Sequence, residues 1–288
     1  MNDMGYKRLV RKIAKFILAS QPEAHVNVNV AQINYGGILA NKKIVITGGG
    51  SGLGLAMAKK FIAEGAEVLI AGRRKQVLDE AAANLGPHCH TIVFDVCDAE
   101  KVEDFIRGAD REINGIDILV SNAGVSLHEN HFSKVTIEGF DKQFNTNFRG
   151  GYFLGKAFLE YKTASSCKEG QLLFITSETG DQCYDIPYGM TKAALNSLVG
   201  ALSRRVYRDG IRVNAIAPGV TLTDMTKEYA EGTNGNLYRD CASGRTFIPE
   251  EIAEVACFIL SDASKCISGE IIRCNAGNHL KAFWDESK

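Results

Sequence analysis

Nowhere does the chain run through roughly 18 apolar residues in succession, so a membrane-spanning helix of ordinary length is excluded. Its eight cysteines, at 89, 97, 167, 183, 241, 257, 266 and 274, form no C-x-x-C pair and have no histidine at ligand spacing. That argues against a zinc site or a disulfide framework and leaves them as small core hydrophobes of a reducing compartment. The six histidines, among them His88, His90, His128 and His131, likewise make no metal signature, so no metal is expected. Charge of one sign is also missing: a net charge of −1 and a pI near 6.6 give no global drive toward nucleic acid. There is no internal repeat, no low-complexity tract, and no long apolar core with a cleavage site at the start that would mark a secretory signal. What remains, at 288 residues with 45% hydrophobic and 23% charged, is an ordinary globular composition suited to one large domain and expected to be cytoplasmic.

Residues 1–40 read as an N-terminal extension. Leu9, Ile13, Phe16 and Ile17 share one helical face, and Lys7, Arg8, Arg11, Lys12 and Lys15 supply the polar side. Such a basic amphipathic helix suits peripheral contact with an anionic membrane or a partner's groove, or packs its apolar face on this protein or a second subunit; the sequence leaves these open. Val26–Val30 alternates with period two, as a half-buried edge strand would.

From residue 41 to about 280, strand and helix patterns alternate, which indicates an α/β domain of Rossmann-like, doubly wound type, its parallel sheet covered by helices on both faces. Residues 281–288 are left as a tail. A first strand at Lys43–Thr47 feeds Gly48-Gly-Gly-Ser51-Gly52-Leu53-Gly54 and then a helix. Glycines between a strand and a helix let the backbone approach a pyrophosphate, whose charge meets backbone N–H groups and the helix dipole. The second strand, Glu67–Ala71, ends in Gly72-Arg73-Arg74. A carboxylate there would bind the ribose 2′-OH of NAD, whereas an Arg accommodates the 2′-phosphate of NADP; Arg73 makes NADP(H) the preferred cofactor, with NAD(H) possible. Asp95 ends a third strand (His90–Phe94), where an adenine edge is met, and Asn122 and Gly124 follow a fourth (Asp117–Val120), the strand edge where such sheets bind ligands. A long helical region spans roughly Ile137–Tyr161. Asn147 within it is unfavourable by propensity, which points to a kink or a side-chain role. Residues 220–247, polar and glycine-rich, are placed to act as a substrate lid.

Ser177 closes a fifth strand, and Tyr188 and Lys192 stand four positions apart, about one helical turn, so phenol and ammonium project from one face. A cation beside a phenol lowers its pKa toward the range useful for proton transfer.

In this order, Thr47-Gly-Gly-Gly-Ser-Gly-Leu-Gly54, Asn122-Ala-Gly124, Asn147, Ser177, Tyr188-x-x-x-Lys192 and Pro218-Gly219 resemble the short-chain dehydrogenase/reductase family over about residues 42–279. The resemblance implies that Tyr188 exchanges a proton with the substrate oxygen, that Ser177 hydrogen-bonds it, that Lys192 binds the nicotinamide ribose and depresses the tyrosine, and that Asn147 holds a relay water. It also implies cofactor contacts from Gly48, Ser51, Gly52, Leu53, Gly54, Arg73, Asp95, Asn122, Gly124, Tyr188, Lys192, Pro218, Gly219 and Thr223, and assembly as a homodimer or homotetramer. Ser177 precedes Tyr188 by 11 residues, a residue or two fewer than is usual in the family, which leaves the pocket shape open. Asp181, Tyr184 and Asp185 in that short loop either shape a polar pocket or face solvent.

The expected activity is NADP(H)-dependent interconversion of a secondary alcohol and a ketone. The alternatives are a 3-oxoacyl-thioester reductase, a polar sugar or polyol dehydrogenase, and a non-catalytic NADP-binding regulatory or scaffold protein.

Overall fold

The structure is a computed structural model that describes residues 36–165, 169–229, 237–238 and 241–280. The basic N-terminal helix, the Val26–Val30 strand and the tail at 281–288 lie outside the described residues.

Seven strands form one parallel sheet: β1 (Lys43–Thr47), β2 (Glu67–Gly72), β3 (Cys89–Val93), β4 (Ile118–Ser121), β5 (Gly170–Ile175), β6 (Ile211–Pro218) and β7 (Ile271–Cys274). Their order across the sheet is β3-β2-β1-β4-β5-β6-β7. The chain winds outward from β1 through β3, then returns to the other side of β1 and continues from β4 to β7. The strands open a crevice at this reversal, beyond the carboxyl ends of β1 and β4.

Strands buried on both faces are largely apolar along their length, with Arg212 and Asn214 of β6 as buried exceptions, and alternate side chains feed two separate cores. Val45, Leu69, Leu119, Leu172 and Val213 pack on one face against α3 (Val102–Ile113), α5 (Gly150–Ala164) and α6 (Pro187–Val206). Ile44, Val68, Ile118, Leu173 and Ile216 pack on the other against α1 (Gly52–Ala63), α2 (Lys75–Leu85) and α7 (Pro249–Leu260). The register places Val45 beside Leu69 and Leu119, so each face is a continuous apolar layer. The apolar stripe of α6 belongs to the first core: Leu195 and Val199 are buried, and Leu198 and Leu202 pack against it.

Residues 37–40, read from sequence as part of the extension, are joined to the domain. Leu39 is fully buried, and the backbone N–H groups of Gly37 and Ile38 donate to Glu64. The long helix expected over Ile137–Tyr161 is three segments: α4 (Ile137–Gln143), a π-helical turn (Phe144–Arg149) and α5. The π turn contains Asn147, where propensity had pointed to a kink. Among the described residues, no helix is long and apolar enough to cross a membrane, and no group of His, Cys, Asp and Glu is placed to hold a metal.

Candidate active site

A cleft of roughly 730 Å³ lies at the carboxyl edge of the sheet, within the size range of cofactor and small-molecule sites. The glycine loop forms one wall. Gly48 and Gly52 have φ of 66° and 53°, a conformation open chiefly to glycine. At Gly54 a Cβ would stand 2.2 Å from the Gly48 carbonyl oxygen, so the helix can begin this close to the loop only with glycine there. Ser51, the N-cap of α1, makes no side-chain capping bond, and the first turn of α1 holds no acidic residue. An uncapped helix N-terminus under a glycine loop is a ready anion cradle, and these residues fit a dinucleotide pyrophosphate.

The loop is braced from the neighbouring strand. Asn122 Nδ2 donates to the carbonyl oxygens of Thr47 (2.9 Å) and Gly48 (3.1 Å), while Thr47 Oγ1 accepts from the backbone N–H groups of Asn122 and Ala123. Asn122 therefore lines the cleft while its amide holds β1 to β4. Thr223 closes over the loop, its methyl 3.3 Å from where a Gly52 Cβ would lie, and its hydroxyl turns to Thr226. Arg73 and Asp95 line the β2–β3 side of the cleft; Asp95 Oδ1 accepts from the Cys97 N–H and so shapes its own turn.

The reacting end is built by β5 and α6. Pro187 occupies the first turn of α6, where its missing N–H costs nothing, and Tyr188 follows it. Lys192 Nζ lies 5.5 Å from the Tyr188 ring centroid and donates to the Ile175 carbonyl oxygen at 2.9 Å. Ser177 Oγ accepts from the N–H and the hydroxyl of Thr179, which leaves its own proton to donate, and it stands close enough to the Tyr188 phenol to favour its ionised form.

The electrostatics of this pair differ from the sequence expectation. Burial pushes the Tyr188 phenol up to about 12, only partly offset by Ser177, with Tyr229, Glu178 and Tyr184 adding to the rise. Its ring, half-buried by surface area, keeps one side on the cleft. Burial pulls Lys192 down to about 8. Desolvation thus favours the neutral form of both partners, and the lysine alone does not depress the tyrosine.

Of the residues singled out in the sequence, Gly48, Ser51, Gly52, Leu53, Arg73, Asp95, Asn122, Gly124, Ser177, Tyr188, Lys192, Pro218, Gly219 and Thr223 all border this cleft. Gly54 and Asn147 do not. Gly54 is packed under the loop. Asn147 is buried, accepts from the Val125 N–H (2.8 Å), and donates to the Val125 carbonyl (2.8 Å) and to Thr191 Oγ1 (3.3 Å). It clamps the segment after β4 to α6, since Thr191 Oγ1 in turn donates to the Tyr188 carbonyl oxygen.

In the short loop, Asp181 forms no part of the pocket. Both its oxygens accept from Arg273 of β7, at 2.8 and 3.0 Å, whereas Tyr184 and Asp185 do line the cleft. Sequence reasoning missed Glu178, which borders the cleft next to Ser177 and accepts from Asn275 and Asn278 Nδ2, both at 3.1 Å. It also missed His128 and Glu129, which border the cleft from the segment after β4; the Tyr229 hydroxyl meets His128 Nδ1 at 3.0 Å. Their one sequence signal was position just past the carboxyl end of a strand.

Residues 48–279 match a family model described as enoyl-(acyl carrier protein) reductase. The chain is 31% identical over 247 residues to a 3-oxoacyl-(acyl-carrier-protein) reductase of Chlamydia trachomatis, covering 84% of this chain and 98% of that protein. It is 32% identical over 245 residues to a 3alpha-hydroxysteroid dehydrogenase of Mediterraneibacter gnavus, covering 82% and 96%. The crystal structure of a 3-ketoacyl-(acyl-carrier-protein) reductase from Brucella melitensis complexed with NADH superposes with a TM-score of 0.74 at 27% identity, covering 84% of this chain and all of that one.

Proposed function

The chain belongs to the short-chain dehydrogenase/reductase family, and from that premise we propose that it interconverts a secondary alcohol and a ketone, with NADP(H) as the preferred hydride carrier and Tyr188 as the acid/base. The observation that carries the reading is the convergence of Ser177, Tyr188 and Lys192 at one end of a cleft whose other end is an uncapped, glycine-cradled helix N-terminus.

The nicotinamide, when bound, supplies hydride to the carbonyl carbon. The protein's part is the proton and the geometry. Tyr188, held neutral by burial, donates its phenolic proton to the carbonyl oxygen as negative charge develops there. Ser177, its oxygen fixed by Thr179, donates a second hydrogen bond to the same oxygen. Lys192, anchored on the Ile175 carbonyl, stands behind the phenol as the positive group that stabilises the phenolate left after transfer. Gly72 offers no carboxylate to a ribose 2′-OH, and Arg73 offers the fork of donors that suits a 2′-phosphate. Asn147 acts through Val125 and Thr191, positioning the floor of the site.

The relatives' names point to different substrates, a thioester and a steroid among them, so the reaction type carries over and the substrate does not. The test is NADPH and NADH oxidation with a small diketone by the wild type and Tyr188→Phe. The variant keeps the ring and loses the proton; it should bind NADPH normally and lose about 10²–10⁴-fold in kcat. NADPH should be used in preference to NADH. Retained turnover in Tyr188→Phe would refute the assignment.

A further inference from the structure

The cleft is lined by charges of both signs, Asp95 standing with Arg73 on the β2–β3 side. Arg73 and Arg74 stand at the end of β2, three strands from Ser177 at the end of β5, about 14 Å across the sheet. Glu178 adjoins Ser177 and, with Tyr184 and Tyr229, acts on the Tyr188 phenol, and Glu129 and Asp185 also border the cleft. Lys192 is committed to the Ile175 carbonyl.

Two of these carboxylates are positioned by partners that leave accepting capacity. Glu178 takes both amide hydrogen bonds on Oε2. Glu129 takes a hydrogen bond from Gln143 Nε2 on Oε1 (2.8 Å), and its Oε2 is buried with no hydrogen-bond partner among the described residues. A buried carboxylate oxygen without a donor costs about 1–3 kcal/mol, and Glu129 borders the cleft. Glu129 is tied to the reacting end through its neighbour His128, which meets Tyr229. Tyr184 and Tyr229 supply aromatic faces on which the C–H side of a hydroxylated chain packs.

We propose that, given the reaction assigned above, the substrate is a neutral polyhydroxylated ketone or alcohol of the ketose and alditol kind, its hydroxyls donating to Glu129, Glu178 and Asp185. A carboxylate accepts from two neighbouring hydroxyls at once, so adjacent diols are read with high selectivity. The same carboxylates repel a thioester whose carrier arm bears phosphates, and that repulsion is a specificity element in its own right.

The full-length enzyme with NADPH is assayed on L-erythrulose, an open-chain ketose, on acetoacetyl coenzyme A, and on uncharged 2,3-butanedione as the reference for the reaction itself. Erythrulose is expected to exceed acetoacetyl coenzyme A in kcat/KM by about tenfold or more, and the double variant Glu129→Gln, Glu178→Gln should narrow that ratio by about tenfold. A preference for acetoacetyl coenzyme A, or reduction of butanedione without reduction of erythrulose, overturns the substrate class and leaves the reaction standing. Failure to reduce even butanedione overturns the reaction assigned in the preceding subsection, and the substrate class with it.

Discussion

Lys192 meets two opposed demands: stability favours a neutral amine in its buried site, and the reaction favours a cation behind the phenol. With an ordinary value of 10.5 and about 8 in the folded protein, the unfolded chain binds more protons between those limits. Stability attributable to this residue therefore rises with pH from about 8 to 10.5, and the full cost is present below about pH 8. Tyr188 has the opposite sign: raised from 10 to about 12, it loses stability as pH rises across that window. Lys192→Met removes the buried ammonium at the expense of one hydrogen bond to Ile175. It is expected to stabilise the fold by on the order of 2 kcal/mol at pH 7 while abolishing turnover. Urea melts at pH 7 and pH 10 check it: the gain should have largely disappeared at the higher pH, and a gain that is constant with pH would contradict this account.

At the level of elements, the π turn between α4 and α5 places Asn147 against Val125 and Thr191. Asn147→Ala leaves the Val125 N–H and C=O without their partner, and should destabilise by about 2 kcal/mol and weaken NADPH binding along with it. Differential scanning calorimetry and NADPH titration measure both; unchanged values would show that the clamp contributes nothing. The turn also shows how far the sequence could be read. Most strands were legible as short apolar runs bounded by glycine or polar residues, β3 with His90 and Thr91 and β6 with Arg212 and Asn214 being the exceptions, and β1 was located to the residue. Asn147 stood out by propensity, but its partner Val125 lies 22 positions away, and no local pattern links them. Glu178 was harder still: its donors are 97 and 100 residues distant, so beside Ser177 it read as an ordinary loop residue. The tyrosine and lysine were legible as a pair by their spacing, while the direction in which burial pushes them required the three-dimensional surroundings.

Across the whole molecule, Lys60 ties two helices of one face together. Its Nζ lies 3.0 Å from Glu64 of its own helix and 3.0 Å from Glu254 of α7, in a largely buried position. Although burial opposes ionisation, the Lys60 bond and the backbone N–H groups of Gly37 and Ile38 hold Glu64 below its ordinary 4.5. The stabilisation is complete above that value and is lost as pH falls below it. Lys60→Met strands a buried carboxylate and should cost about 3 kcal/mol. Thermal melts at pH 7 and pH 4 should show the variant's deficit shrinking in acid, where Glu64 takes up a proton; an undiminished deficit would point to lost packing instead.

The bonds from Asn275 and Asn278 to Glu178 also order events during synthesis. At about 5–20 residues per second, the interval between Glu178 and its amide donors leaving the ribosome lasts roughly five to twenty seconds. The glycine loop, β1, β2 and β4 are available to pair throughout that interval, whereas the carboxylate beside Ser177 still lacks its donors. A nascent chain therefore has the strands of the nucleotide half of its cleft before Glu178 acquires the donors that fix it beside Ser177.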